Sequence, residues 1–280
     1  QRQMCIRDRP KVDVVIALDN NSLVQAGEAA ASNNLHGALI YGIGKSKSAC
    51  TKVEGAVSGM RPKVKICGLQ KPVDAQYVND AGADYTGFVF YEKSKRNVSC
   101  QKAKKIMEKI RPDIKKVAVT VSPDAAQIQI LQQMKFDIIQ MHGTLSAEAL
   151  SAVELPVWYA INLSDPKEFA EKTKDFLDLP EKLQQKITAL VVDGANYGGG
   201  QTFDWQKTQT FHQTEGIFAG RKFVLAGGLH AGNVNKGIQL FHPDVVDVSS
   251  GVENENGKDE ALIKQFVACV KEEAKERKER

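Results

Sequence analysis

The chain has 280 residues, 38 Lys and Arg against 34 Asp and Glu, a formal charge of +4, and 42% hydrophobic and 26% charged residues. That balance suits a globular protein with a sizeable core, and the length holds a parallel barrel of roughly 200 to 250 residues with some chain left over. The mild charge, with acids and bases interleaved at residues 271–280, argues against nucleic-acid binding, and no apolar run approaches the ~20 residues of a bilayer span, so no membrane partner is expected.

Residues 1–10 hold three arginines and an aspartate among few hydrophobes and lack a secretory core. Residues 12–18 read as a strand, 22–33 as an alanine-rich helix, 37–41 as a second strand and 45–58 as a polar connection. One such βαβ unit is too small to bury a core alone. Its strands weakly resemble part of a periplasmic sugar-binding lobe, and residues 3–9 resemble translated adapter sequence. Residues 1–62 are therefore read as an N-terminal extension of chimeric or artefactual origin. Gly42-Ile43-Gly44-Lys45-Ser46 ends like a phosphate loop, but Leu39 stands where the required glycine would be, so a turn is the better reading.

From residue 63 onward, eight apolar runs of strand length follow at 64–67, 85–91, 117–121, 136–141, 157–161, 187–192, 223–226 and 245–248. Near-continuous apolarity is what strands buried on both faces require, and amphipathic segments separate them. Ser122-Pro123 and Asp165-Pro166 read as helix starts. Eight strands alternating with helices predict an α/β fold, a (β/α)8 TIM barrel over 63–280, with a doubly wound open sheet as the alternative.

Barrels carry their chemistry at the carboxyl ends of the strands. Cys67 closes the first run, and strand alternation puts Lys65 on its face, where a cation favours the thiolate. Arg96 follows the second run and suits capture of a carboxylate. Gln140-Met141-His142 ends the fourth, where His142 is either a satisfied rim histidine or a substrate contact. Asp193 ends the sixth and leads into Gly198-Gly199-Gly200, whose amides can approach an anion closely. Gly227-Gly228 after the seventh and Ser249-Ser250-Gly251 after the eighth occupy the two loops where barrels commonly hold phosphate. A base, an acid and an anion cradle point to an isomerase acting on a small phosphorylated substrate. Five scattered cysteines without a Cys-x-x-Cys pair support neither a disulfide framework nor a zinc site, so no metal is expected and the cytoplasm is the expected compartment.

The ordered motifs KICGL from Lys65, GFVFYEKSKR from Gly87, IIQMHG from Ile138, VVDG from Val191, FDW from Phe203, LAGGL from Leu225 and VDVSSGVE from Val246 cover about three quarters of the chain. On these, the chain resembles the phosphoribosylanthranilate isomerase family of tryptophan biosynthesis. The resemblance implies a cofactor-free Amadori rearrangement, with Cys67 as general base, Asp193 as general acid and Arg96 on the anthranilate carboxylate. It further implies that Gln140, His142 and Asp247 contact substrate, and that Gly199, Gly200, Gly227, Gly228, Ser249, Ser250 and Gly251 hold phosphate, in a monomer or homodimer. Two places depart from the family pattern: Lys95 replaces the usual proline, and the glycine loop Tyr197-Gly198-Gly199-Gly200-Gln201-Thr202 is either one residue short or without the usual hydroxyl. A related histidine-pathway aminoaldose isomerase would carry an aspartate where Cys67 stands, and a sugar-binding module would need a second lobe.

Overall fold

A computed structural model describes residues 14–17, 39–42, 61–162, 166–193 and 220–279. The chain divides into two compact units, Gln1–Met60 and Arg61–Arg280. In the first, β1 (Val14–Ala17) and β2 (Leu39–Gly42) pair in parallel, with Val14 opposite Leu39. The helix and connection expected between and after these strands lie outside the described residues.

In the second unit, eight parallel strands close into a barrel: β3 (Lys63–Cys67), β4 (Tyr85–Phe90), β5 (Lys115–Val121), β6 (Ile138–His142), β7 (Val157–Asn162), β8 (Ile187–Asp193), β9 (Lys222–Ala226) and β10 (Val245–Val248). Each neighbours the next in sequence, and β10 closes the ring on β3 with Val246 opposite Val64 and Asp247 opposite Lys65. Closure rules out the open sheet. Helices α1 (Pro72–Ala81), α2 (Cys100–Met107), α3 (Ala125–Gln133), α4 (Ala147–Ala152), α5 (Pro166–Leu177), α6 (Glu181–Gln184), α7 (Val234–Phe241) and α8 (Glu260–Glu279) accompany the strands. None of the described helices is long and apolar enough to cross a membrane. Between β10 and α8, a short hairpin pairs β11 (Glu253–Asn254) with β12 (Gly257–Lys258).

Two apolar layers follow from strand alternation. Val64 and Ile66 join an outer layer that also takes helix residues such as Val78, Ile106 and Ile263. The other cluster consists of strand residues alone, including Tyr85, Val117, Trp158 and Val245, and so fills the barrel's interior. There the rings of Tyr85 and Trp158 meet edge to face at 5.0 Å. Lys65 and Cys67 lie on this inner face, as the alternation requires.

The helix starts follow local chemistry. Pro72 occupies the first turn of α1, and the Asp74 carboxylate accepts from the Gln70 and Lys71 amides at 2.7 and 2.9 Å. Ser99 and Ser146 cap α2 and α4. The expected Ser122 cap does not form: Asp124 caps α3 instead, accepting from Gln127 N at 2.7 Å. Ser122 adopts a left-handed φ of 44° and its hydroxyl accepts from Thr144 N at 3.0 Å, tying the loop after β5 to the one after β6. The helix start expected at Asp165, before α5, lies outside the described residues. β6 begins at Ile138 rather than at 136, because Phe136 turns to pack edge-on against Phe88 and Phe90, at 5.8 and 5.6 Å.

Candidate active site

A cavity of about 510 Å³ opens at the carboxyl ends of the barrel strands. Its wall brings together Cys67 from β3, Gln140 and His142 from β6, Asp193 from β8 and Asp247 from β10, with Arg96, Gly227, Gly228, Ser249 and Ser250 from the loops. Gly199 and Gly200 lie outside the described residues. Gly251 does not line the cavity. A Cβ there would stand 2.0 Å from the Leu229 carbonyl oxygen, so this glycine lets the loop after β10 pack directly on the loop after β9.

Cys67 is 8% exposed and sits over Gly87 on β4, where a Cβ would come within 2.6 Å of its Sγ. The glycine makes the room that the thiol occupies. Lys65, fully buried one step below, donates to Asp247 Oδ2 at 2.7 Å. Burial alone would lower the Lys65 pKa, but the negative charge of Asp247, reinforced by Cys67, outweighs it and leaves the ammonium protonated. For the thiol the balance goes the other way. Burial pushes the Cys67 pKa up, and the downward pull of Lys65 is partly cancelled by Asp247, so the resting side chain is a thiol. A thiolate favoured by Lys65 was the expectation. It fails at rest because burial outweighs the charge of Lys65, part of which Asp247 offsets.

His142 is neutral. Burial, then the charges of Lys65 and Lys172, lower its pKa to about 3. Gln140 Nε2 lies 2.8 Å from His142 Nε2, a contact in which the amide donates to the unprotonated ring nitrogen. His142 therefore cannot serve as a cationic anchor for an anion. Two buried acceptors of the wall, Gln140 Oε1 and Asp247 Oδ1, have no hydrogen-bond partner among the described residues.

The phosphate-type loops have the backbone such a role needs. Gly227 and Gly228 carry φ of 89° and 62°, conformations that side chains disfavour, and Asn233 Nδ2 fixes the Gly228 carbonyl at 3.0 Å. Ser249 Oγ donates to the Cys67 carbonyl at 2.9 Å, which leaves its amide rather than its hydroxyl proton for an anion. Arg96 runs across Gly68, whose φ of 86° and missing Cβ leave space for the Arg96 Cδ. Its Nε and Nη2 each donate to Glu253 at 2.7 Å, so the side edge of the guanidinium is already occupied. The sequence gives Gly87 and Glu253 no role beyond their motifs, and Lys258 stands outside all of those motifs. Lysine and glutamate five residues apart announce nothing until a hairpin pairs them.

A closed parallel barrel that brings an acid, a thiol and the Gly227-Gly228 and Ser249-Ser250 loops together at its carboxyl face has the layout of an aldose–ketose isomerase. A family model for N-(5'phosphoribosyl)anthranilate (PRA) isomerase matches residues 64–269. The N-(5'-phosphoribosyl)anthranilate isomerase of Streptococcus gordonii is 38% identical over 214 residues, covering 75% of this chain and 98% of that protein, and that of Clostridium acetobutylicum is 37% identical over 215 residues with the same coverage. Among solved structures, the phosphoribosyl anthranilate isomerase of Thermotoga maritima is 30% identical with a TM-score of 0.63, covering 75% of this chain and 99% of that one. A second, solved with reduced 1-(o-carboxyphenylamino)-1-deoxyribulose 5-phosphate, is 30% identical with a TM-score of 0.62 and the same coverage. The chain belongs to the N-(5'-phosphoribosyl)anthranilate isomerase family.

Proposed function

We propose that this chain converts N-(5'-phosphoribosyl)anthranilate to 1-(2-carboxyphenylamino)-1-deoxyribulose 5-phosphate, with Asp193 as acid and Cys67 as base. The observation that carries the assignment is that both residues, last in β8 and β3, line one cavity with the loops after β9 and β10. Asp193 protonates the ribose ring oxygen, the C1'–O bond breaks, and the nitrogen lone pair forms a C1'=N iminium. The iminium acidifies C2'–H, and Cys67, reacting from the minor thiolate form left when its proton passes to solvent, removes that proton to leave an enolamine, which tautomerises to the ketose. The substrate's own nitrogen is the electron sink, so two side chains carry the proton transfers.

The remaining wall groups fit the substrate's other parts. Gln140 Oε1 and Asp247 Oδ1 offer acceptors to ribose hydroxyls, which satisfy buried oxygens otherwise left without donors. The amides at Gly227, Gly228, Ser249 and Ser250 suit the phosphate, and Arg96 suits the anthranilate carboxylate. One Thermotoga maritima relative, 32% identical with a TM-score of 0.61, is described as monomers generated from a dimeric isomerase, and light scattering decides between monomer and homodimer for this chain. The test of function is steady-state turnover of freshly made substrate, followed by loss of its anthranilate fluorescence. Wild-type turnover that disappears in both Cys67→Ser and Asp193→Asn supports the assignment, whereas a variant that keeps the wild-type rate removes that residue from it.

A further inference from the structure

We infer that Glu253 is a positioning residue that aims Arg96 at the substrate's carboxylate and so sets the preference for a carboxylated aromatic amine. The inference rests on the proposed role of Arg96. The two side chains meet as a fork, Nε to Oε1 and Nη2 to Oε2, and each is 13% exposed. A guanidinium has five N–H donors, and this contact takes two from its side edge. Nη1 has no hydrogen-bond partner among the described residues, and with the second Nη2 hydrogen it forms the end-on edge that accepts another carboxylate bidentately. Glu253 does not line the cavity, whereas Arg96 does. The glutamate thus acts from behind, fixing the plane and direction of a group that faces the ligand.

Charge would defeat this arrangement if Glu253 stood alone, because a carboxylate fully paired to Arg96 cancels its attraction for an anion. Lys258 restores it. Across the β11–β12 hairpin from Glu253, its Nζ lies 2.7 Å from Glu253 Oε1 with the side chain 1% exposed. Burial lowers the Lys258 pKa and the Glu253 carboxylate opposes that shift; with the ammonium protonated, the three groups together carry one positive charge. Lys258 also donates to the Ser249 carbonyl at 3.0 Å, and Ser249 in turn bonds the Cys67 carbonyl, so the brace shares an anchor with the strand that carries the base. The Lys71 ammonium holds the hairpin tip through Asn256 O at 2.5 Å. Glu253 stays ionised: burial would raise its pKa, but Arg96 and Lys258 bring it down to about 2.

The experiment compares two inhibitors with the full chain: the reduced product, and its analogue made from aniline, which lacks only the ring carboxylate. Their inhibition constants give a preference ratio for wild type, Glu253→Gln, Glu253→Asp and Arg96→Ala. Wild type should prefer the carboxylated compound, and both Glu253 variants should cut that ratio by roughly tenfold, through weaker binding of the carboxylated compound alone. Substrate KM should rise with them while kcat changes much less. Glu253→Asp keeps a charge for Lys258 but is too short to hold the fork, so it remains informative if Glu253→Gln does not fold. A ratio kept at its wild-type value in the Glu253 variants but lost in Arg96→Ala overturns this inference and leaves the Arg96 assignment standing. Equal weakening of both inhibitors marks a merely structural brace and also overturns it. No preference in wild type would overturn the Arg96 assignment itself.

Discussion

Replacing Asp247 by Asn tests the electrostatics inside the barrel most directly. Lys65 is fully buried and Asp247 is 8% exposed, with 2.7 Å between Nζ and Oδ2. At an effective permittivity of about 20 the gross attraction at that separation is about 6 kcal/mol, set against several kcal/mol of desolvation per ion. Removing one partner of such a pair costs about 3–5 kcal/mol because the other charge remains buried and unmatched. Proton release sets a second bound. Lys65 can always give up its proton, and doing so at pH 7 from an unfolded value of about 10.4 costs about 4.6 kcal/mol. The penalty should therefore fall at about 3–5 kcal/mol at neutral pH and shrink as pH rises, since the unfolded state then binds more protons than the folded one; the slope approaches about 1.4 kcal/mol per pH unit where Lys65 is neutral in the fold. The assay is urea unfolding followed by tryptophan fluorescence, to which Trp158 inside the barrel contributes, from about pH 7 to about pH 10, in a Cys67→Ser background so that the thiol cannot replace the lost anion. Lys65→Met with Asp247→Leu in the same background should recover most of the loss, because an apolar pair needs no counterion. An Asp247→Asn penalty below about 1 kcal/mol, flat with pH, would refute a charged buried pair.

Gly87→Ala should force the Cys67 thiol aside, since the new Cβ would stand 2.6 Å from Sγ and 3.1 Å from the Cys67 backbone; about 1–3 kcal/mol of stability and on the order of a hundredfold in turnover are expected to go, and an alanine variant with the wild-type rate would show that the thiol position is not critical. Alkylation of Cys67 by iodoacetamide, followed by peptide mapping, should be slower at about pH 7 than for a free thiol and still be rising at about pH 10, because burial holds its pKa above the ordinary value and only the thiolate reacts. A plateau already reached near neutrality would instead mean that Lys65 wins over burial. We further propose that the barrel needs nothing from residues 1–60, a boundary two residues short of the one read from sequence because Arg61 pairs with Asp84 at 2.9 Å within the barrel unit. A chain beginning at residue 61 should fold and keep turnover within about twofold, as expected when deleted surroundings make no essential contact, and circular dichroism with the fluorescence assay would reveal a failure to fold or to react.

The barrel was legible because each strand is buried on both faces. That requirement writes itself as a run of apolar residues, and Val64, Ile66 and their counterparts pack outward as the alternation demands. The strand ends then name Cys67, His142 and Asp193, and the loop after β4 names Arg96, because in this fold polar residues at the carboxyl ends and in the loops that follow face the cavity. What the pattern could not carry was pairing between distant segments. Lys65 was visible as an inward cation, but its effect on the thiol depends on Asp247, 182 residues away and opposite it only when the ring closes. Likewise Arg96 was visible as a carboxylate binder, while the glutamate that claims one of its edges arrives 157 residues later. In both cases the sequence shows a positive charge at the right place, and the structure adds the anion that decides what the charge can do. The outcomes differ in sign for a physical reason. Asp247 has Lys65 as its near partner and so offsets part of the help that Cys67 draws from it, whereas Glu253 is shared with Lys258, and the trio, with Lys258 protonated, keeps the positive charge that a substrate carboxylate needs.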